Sequence, residues 1–210
     1  MRHDIFFDEA THTYLVDGQE VPSVTEILKP LHRSYAKVNP SVLEYAANRG
    51  KAVHEALELY DLGGGLEASP EIEGYIRAYL DWQDIYRPKW TAVEQIVWSG
   101  LFGYAGTLDR AGFLNGGDFA IVDIKTSQAT KESLVSVCCQ TAAYEIAHNE
   151  LTPQRVKKRY GLFLKSDGTF RIVDCEEYEK KYKFSGYKVF HELRKTNELI
   201  TKLLATGGKK

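Results

Sequence analysis

The chain has 210 residues, 43% hydrophobic and 27% charged, with a formal net charge of −2. These are the proportions of an ordinary globular protein. They argue against a generally basic nucleic-acid binder, though not against a local basic groove. Cys138, Cys139 and Cys175 form neither a disulfide framework nor a CxxC metal knuckle, and they fit a reducing compartment. The opening MRHDIFFDEATH has no apolar signal region, and no apolar run is long enough to cross a bilayer. A cytoplasmic protein with no membrane partner is expected, organised as one domain over 1–210.

In chain order, the apolar–polar alternation of IFFDEATHTYLVDG predicts a β-hairpin. Ser23 with Glu26 three residues on is a capping box, so a short helix follows and Pro30 ends it. The hairpin and short helix make up 1–30. A helical portion over 41–90 comes next, with a helix from Ser41 to about Tyr60 and a second starting at Ser69–Pro70–Glu71. Between them, Gly63–Gly64–Gly65 is followed by Leu66–Glu67, not by the Lys-Ser/Thr pair of a phosphate loop, so a linker is expected and no ATP site. A sheet core spans 91–175. It holds strands over 92–98, on either side of a glycine-rich turn in 103–127, over 156–164 and over 169–173, with a helix over 131–149. A C-terminal helix over 176–204 should bury Phe190, Leu193, Ile200 and Leu203. Basic residues cluster only at Arg155–Arg159, expected to be a solvated strand edge, and at Lys209–Lys210.

The stretch 103–127, GYAGTLDRAGFLNGGDFAIVDIKTS, carries the chemistry. Strand side chains alternate faces at roughly 3.3 Å per residue, so Asp123 and Lys125 share a face about 7 Å apart, with Phe119 and Ile121 below them. Ala120, Val122 and Ile124 point the other way. Two carboxylates and a lysine at the end of an apolar strand are costly to bury without partners. Asp109 and Asp123 are hard oxygen donors suited to Mg²⁺ or Mn²⁺, and Lys125 can hold or deprotonate an attacking water. His54 and Glu58 share a helix face at i and i+4, and His54 can complete a metal sphere. Gln140 and Tyr144 have the same spacing, can hydrogen-bond a phosphate, and Tyr144 can stack on a base. Trp82, Trp90 and Trp98 read as core or interface residues. HEALE over 54–58 lacks the second histidine of a zinc-protease helix.

Opposite residues of an antiparallel pair share a face. A two-residue Asn115–Gly116 turn places Asp109 opposite Val122, on the wrong face. A three-residue Asn115–Gly116–Gly117 loop, with Gly117 left-handed, or a compensating bulge, places it opposite Asp123.

Asp109 followed by Asp123–Ile124–Lys125 resembles the PD-(D/E)XK nuclease signature. RGKAVH with His54, GTLD with Asp109, VDIKTS, and QTAAY with Gln140 and Tyr144 resemble its RecB-like exonuclease branch, in family order over 23–144. The resemblance implies an α/β, restriction-endonuclease-like core, a central mixed β-sheet flanked by helices, with the N-terminal β-hairpin. It implies metal ligation by His54, Asp109, Asp123 and the Ile124 backbone carbonyl, with Lys125 catalytic and Gln140 and Tyr144 assisting. Glu94 matches a strand carboxylate of some members. The hairpin followed by PSVTEIL looks most like phage-encoded exonucleases of recombination or replication, in the host cytoplasm. Many relatives hold an iron–sulfur cluster through four cysteines; three cysteines, none before Cys138, predict its absence.

The implied activity is Mg²⁺- or Mn²⁺-dependent hydrolysis of DNA phosphodiesters. The implied partners are DNA and, by analogy, a single-strand annealing protein, a helicase or a single-strand-binding protein. The alternatives are an inactive nuclease-fold module that binds DNA or protein, an endonuclease, and a metallohydrolase acting on RNA.

Overall fold

The computed structural model describes residues 3–9, 11, 13–32 and 38–206. Lys209 and Lys210 lie outside them. Strands β1 (Ile5–Asp8), β2 (Thr13–Val16) and β3 (Gln19–Val21) form a small antiparallel sheet. The expected hairpin thus gains a third strand, turned at Asp17 and Gly18, both at positive φ. Helix α1 (Val24–Leu28) is capped by Ser23, whose side chain accepts from the Glu26 amide. A 3₁₀ turn through Pro30 ends it. Helix α2 (Pro40–Asp61) follows an Asn39 cap, and α3 (Glu73–Tyr86) begins after the turn at Ser69–Pro70, a little later than expected.

The second sheet contains β4 (Lys89–Ser99), β5 (Tyr104–Phe113), β6 (Phe119–Lys125), β7 (Lys158–Leu164) and β8 (Phe170–Asp174), in that spatial order. Only the β6–β7 pair is parallel, because helix α4 (Lys131–Leu151) carries the chain back between them. This is the predicted α/β architecture: a central mixed sheet flanked by helices, with the antiparallel sheet ahead of it. Alternation along β6 divides the core. Phe119 and Ile121 pack with Ala143 and Ala147 of α4 and Ile27 of α1. Ala120, Val122 and Ile124 pack with Val53 and Leu57 of α2 and Tyr79 and Trp82 of α3. Among the described residues, no helix is long and apolar enough to cross a membrane.

Three expectations are corrected. The C-terminal helix is two helices, α5 (Cys175–Tyr182) and α6 (Gly186–Thr206), broken where Lys183 takes a left-handed conformation. Phe190 is buried and Leu193 packs on the core, but Ile200 and Leu203 are exposed, since α6 runs past the sheet it covers. Arg159 is no solvated edge residue: it is buried and paired with Glu145, Glu176 and Glu179.

Candidate metal centre

The β5–β6 register decides whether the two aspartates can meet. The ladder pairs Phe113 with Phe119 and Arg110 with Val122, and its continuation sets Asp109 opposite Asp123. Five residues, 114–118, separate the strands, and this odd number is what the shared face requires. The turn differs in detail from the expectation. Asn115 and Gly116 are the left-handed pair, at φ 51° and 67°, and the Gly117 amide bonds the Leu114 carbonyl at 2.8 Å. A two-residue primed turn with an added residue therefore does the work assigned to a left-handed Gly117.

Beyond Arg110, β5 and β6 exchange a side chain for a ladder bond. Asp109 Oδ2 accepts from the Ile124 amide at 2.6 Å. The Ile124 carbonyl faces His54 Nε2 at 3.1 Å. His54 Nδ1 lies 3.2 Å from Glu94 Oε1 and 3.9 Å from Asp109 Oδ1. His54, Glu94 and Asp109 thus present ligand atoms all within 4.8 Å of one another. Both ring nitrogens point at oxygens. Burial opposes a charge on His54, but Asp109 and the hydrogen-bonded Glu94 outweigh it, and its pKa is pushed up to about 9.

Glu94, expected from a strand carboxylate of some members, sits inside this cluster. It is reached through an unusual backbone: φ is +44° in the middle of β4. A left-handed residue other than glycine costs roughly 1–3 kcal/mol and must be held by its surroundings. Arg110, which the sequence reading missed, does this. Its Nη1 donates to Glu94 Oε1 at 2.8 Å and its Nε to Asp61 Oδ2 at 2.6 Å, while Tyr79 and Gln83 donate to the same Asp61 carboxylate. Arg110 is wholly buried. An arginine directly after Asp109, in a strand whose flanks are apolar, was the available signal.

Asp123 is placed differently from the other ligands expected. Its carboxylate is not part of the three-residue cluster. It is fully buried on the neighbouring strand, with Lys125 Nζ 2.6 Å from Oδ2. Lys125 is thus the partner of Oδ2, while Asp123 Oδ1 has no hydrogen bond among the described residues. Burial pushes the Asp123 pKa up to about 6, with Lys125 opposing the rise.

Gln140 and Tyr144 lie on α4 and bond each other, Nε2 to Oη at 3.1 Å. Gly106, of the GTLD run, makes room for this ring: a Cβ there meets Tyr144 Cε1 at 2.8 Å. Tyr144, Gln140, His54, Glu58, Glu94 and Asp109 all open onto one cleft of about 580 Å³. Tyr14 of the small sheet closes one side and bonds Thr107 at 2.8 Å. The donors present are hard oxygens and one imidazole, and the buried Asp123 Oδ1 has no hydrogen bond among the described residues. They fit a divalent cation that prefers oxygen ligands.

No protein-family model matches the chain, and no characterised protein matches it in sequence. Among solved structures, an alkaline exonuclease from Laribacter hongkongensis is similar over 74% of this chain and 85% of that one, with 13% identity and a TM-score of 0.35. A likeness at that level carries no argument about activity.

Proposed function

We propose that the chain is a divalent-metal-dependent deoxyribonuclease, an exonuclease that hydrolyses phosphodiester bonds and uses Mg²⁺ or Mn²⁺. The observation that carries this reading is the convergence of His54, Glu94 and Asp109 on an open cleft, with the Asp123–Lys125 ion pair on the neighbouring strand. The sequence resemblance supplies the substrate class. Asp109, Asp123, Glu94, His54 and the Ile124 carbonyl would hold the metal. When bound, it supplies polarisation of a phosphoryl oxygen and a lowered pKa for a coordinated water.

The chain's own groups have separable tasks. Arg110 and Asp61 hold Glu94 in its strained conformation. Asp109 holds the end of β6 through the Ile124 amide, and so positions Lys125 one residue further on. Lys125, held beside Asp123, would orient the attacking water through an N–H of its ammonium. Gln140 and Tyr144, which line the same cleft, would present an amide and a hydroxyl to the substrate phosphate.

Asp109 and Glu94 favour a proton on His54, so a cation held by the His54 ring would compete with that proton. Calorimetric titration with Mn²⁺ in two buffers of different ionisation enthalpy tests this. The reading requires binding with proton release, and weakened binding in Glu94→Gln. Absence of Mn²⁺ binding to the wild type at millimolar concentration counts against it.

A further inference from the structure

The metal-centre cleft is itself poorly suited to holding a polyanion. Glu9, Glu55, Glu58, Glu94 and Asp109 line it, against Lys51 and His54. Binding of a nucleic-acid backbone draws most of its free energy from cations set against phosphates. Those cations must come from elsewhere on a chain whose net charge is −2.

A second cleft, of about 670 Å³, opens where β6 ends: Thr126 and Ser127, next after Lys125, line it. Helix α2 separates the two clefts, with His54 facing the first and Arg49 the second. The partition is thin, since a Cβ on Gly50 would lie 3.4 Å from Thr126 Oγ1. Three cations from three elements converge there: Arg49 of α2, Lys165 at the end of β7 and Arg171 of β8. Asp167 is the one carboxylate in the lining, and its Oδ1 is turned into its own loop, accepting from the Thr169 amide at 2.9 Å and hydroxyl at 2.6 Å.

Arg110, Arg159 and Lys158 all have carboxylate partners. Among the described residues, none of Arg49, Lys165 and Arg171 has an ion pair within 4 Å. Arg49 instead lies over the Tyr75 ring at 5.3 Å, and its Nε, buried, has no hydrogen bond.

We infer that this second cleft binds the phosphodiester backbone of the DNA strand on one side of the bond that is cut, through Arg49, Lys165 and Arg171. The identity of the strand rests on the nuclease reading; the cleft's preference for phosphates rests on its own charges. Hydroxyls of Thr126 and Ser127 add neutral donors next to Lys125, so a strand held here continues towards the metal centre.

The test is binding of a fluorescent single-stranded oligodeoxynucleotide without terminal phosphates, in EDTA, across a salt series. Lys165→Ala/Arg171→Ala is the main variant, because both side chains are exposed and their loss leaves the core intact. Lys188→Ala, exposed on α6, is the control. The double variant is expected to bind about tenfold or more weakly, and its slope of log K against log salt to flatten by ~0.7 for each cation lost. The control is expected to match the wild type.

Unchanged affinity and slope in the double variant overturn the inference, as does a wild type that binds no DNA. Cleavage with Mn²⁺ is measured on the same preparations. Cleavage by a wild type whose double variant still binds normally sinks the cleft alone. Weakened binding by the double variant, in a protein that never cleaves, sinks the nuclease reading and leaves the cleft.

Discussion

Asp109 and Ile124 are joined across two strands by a carboxylate–amide hydrogen bond of 2.6 Å. That bond gives one residue two tasks. It closes the β5–β6 pair where the ladder has ended, and it fixes a carboxylate beside His54 and Glu94. Asp109→Asn separates the tasks, since the amide oxygen still accepts from Ile124 while the charge is lost. The variant should fold with a stability loss of ~1–2 kcal/mol. Its cleavage activity should fall by roughly 100-fold or more, as for loss of a charge-stabilising group. Urea denaturation and an initial-rate assay on linear DNA measure the two effects separately.

Arg110 lies between Asp61 and Glu94 with no exposed surface. Truncating one partner of a buried pair leaves the other charge uncompensated, which costs roughly 3–5 kcal/mol. Arg110→Leu should therefore destabilise the chain by about that amount in equilibrium unfolding. Arg110→Leu combined with Asp61→Leu should be less destabilised than the single variant. Glu94 should release its left-handed conformation in both, so neither should retain wild-type metal affinity.

Deletion of Gly117 makes the interval between Phe113 and Phe119 even. A one-residue slip sends every side chain of a strand to the other face. The deletion should abolish activity and lower the unfolding midpoint strongly. Asn115→Gly, at φ 51°, should be tolerated or mildly stabilising, because glycine adopts that conformation without strain. Equal unfolding midpoints for the deletion and the wild type would remove the register argument.

His148 sits away from the metal centre, stacked on Phe119 at 5.3 Å, with a buried Nδ1 that has no hydrogen bond. Burial lowers its pKa below the ordinary histidine value of 6.5. A depressed pKa means the unfolded chain takes up the proton first. The stabilisation is therefore present above about pH 6.5 and is lost as pH falls through the folded value. Thermal unfolding from pH 7.5 down to 5 should show a decline that is shallower in His148→Gln.

Much of this fold is legible in residue order because local pattern and burial agree. Phe119–Lys125 alternates as a strand packed on both faces, and each flank of it meets a helix. Ser23 and Glu26 announce α1 by capping chemistry that needs no tertiary context. What was not legible depends on context. At the α5–α6 break, Lys183 is not a residue that signals a left-handed stop, but Ser185–Gly186 just after it is a turn signal that the sequence reading passed over. Phe190, Leu193, Ile200 and Leu203 read as one buried stripe, but the core ends before Ile200 and Leu203.

At the site, the order His54, Asp109, Asp123 and Lys125 could be read along the chain. The weight of Glu94 could not, since it depends on a backbone outlier held by Arg110. The separation of Asp123 from the His54–Glu94–Asp109 cluster is likewise a matter of side-chain direction rather than spacing.

Lys125 carries the central claim, because its ammonium lies 2.6 Å from the buried Asp123 carboxylate. The deciding measurement is hydrolysis of end-labelled linear DNA and covalently closed circular DNA by the wild type and by Lys125→Ala, with Mg²⁺, Mn²⁺ or EDTA. The account predicts metal-dependent loss of linear DNA, survival of the circle, and a rate at least ~100-fold lower in a Lys125→Ala protein that remains folded. Cutting of the circle would contradict the exonuclease assignment. Absence of metal-dependent cleavage by the wild type, or full activity in Lys125→Ala, would contradict the account itself.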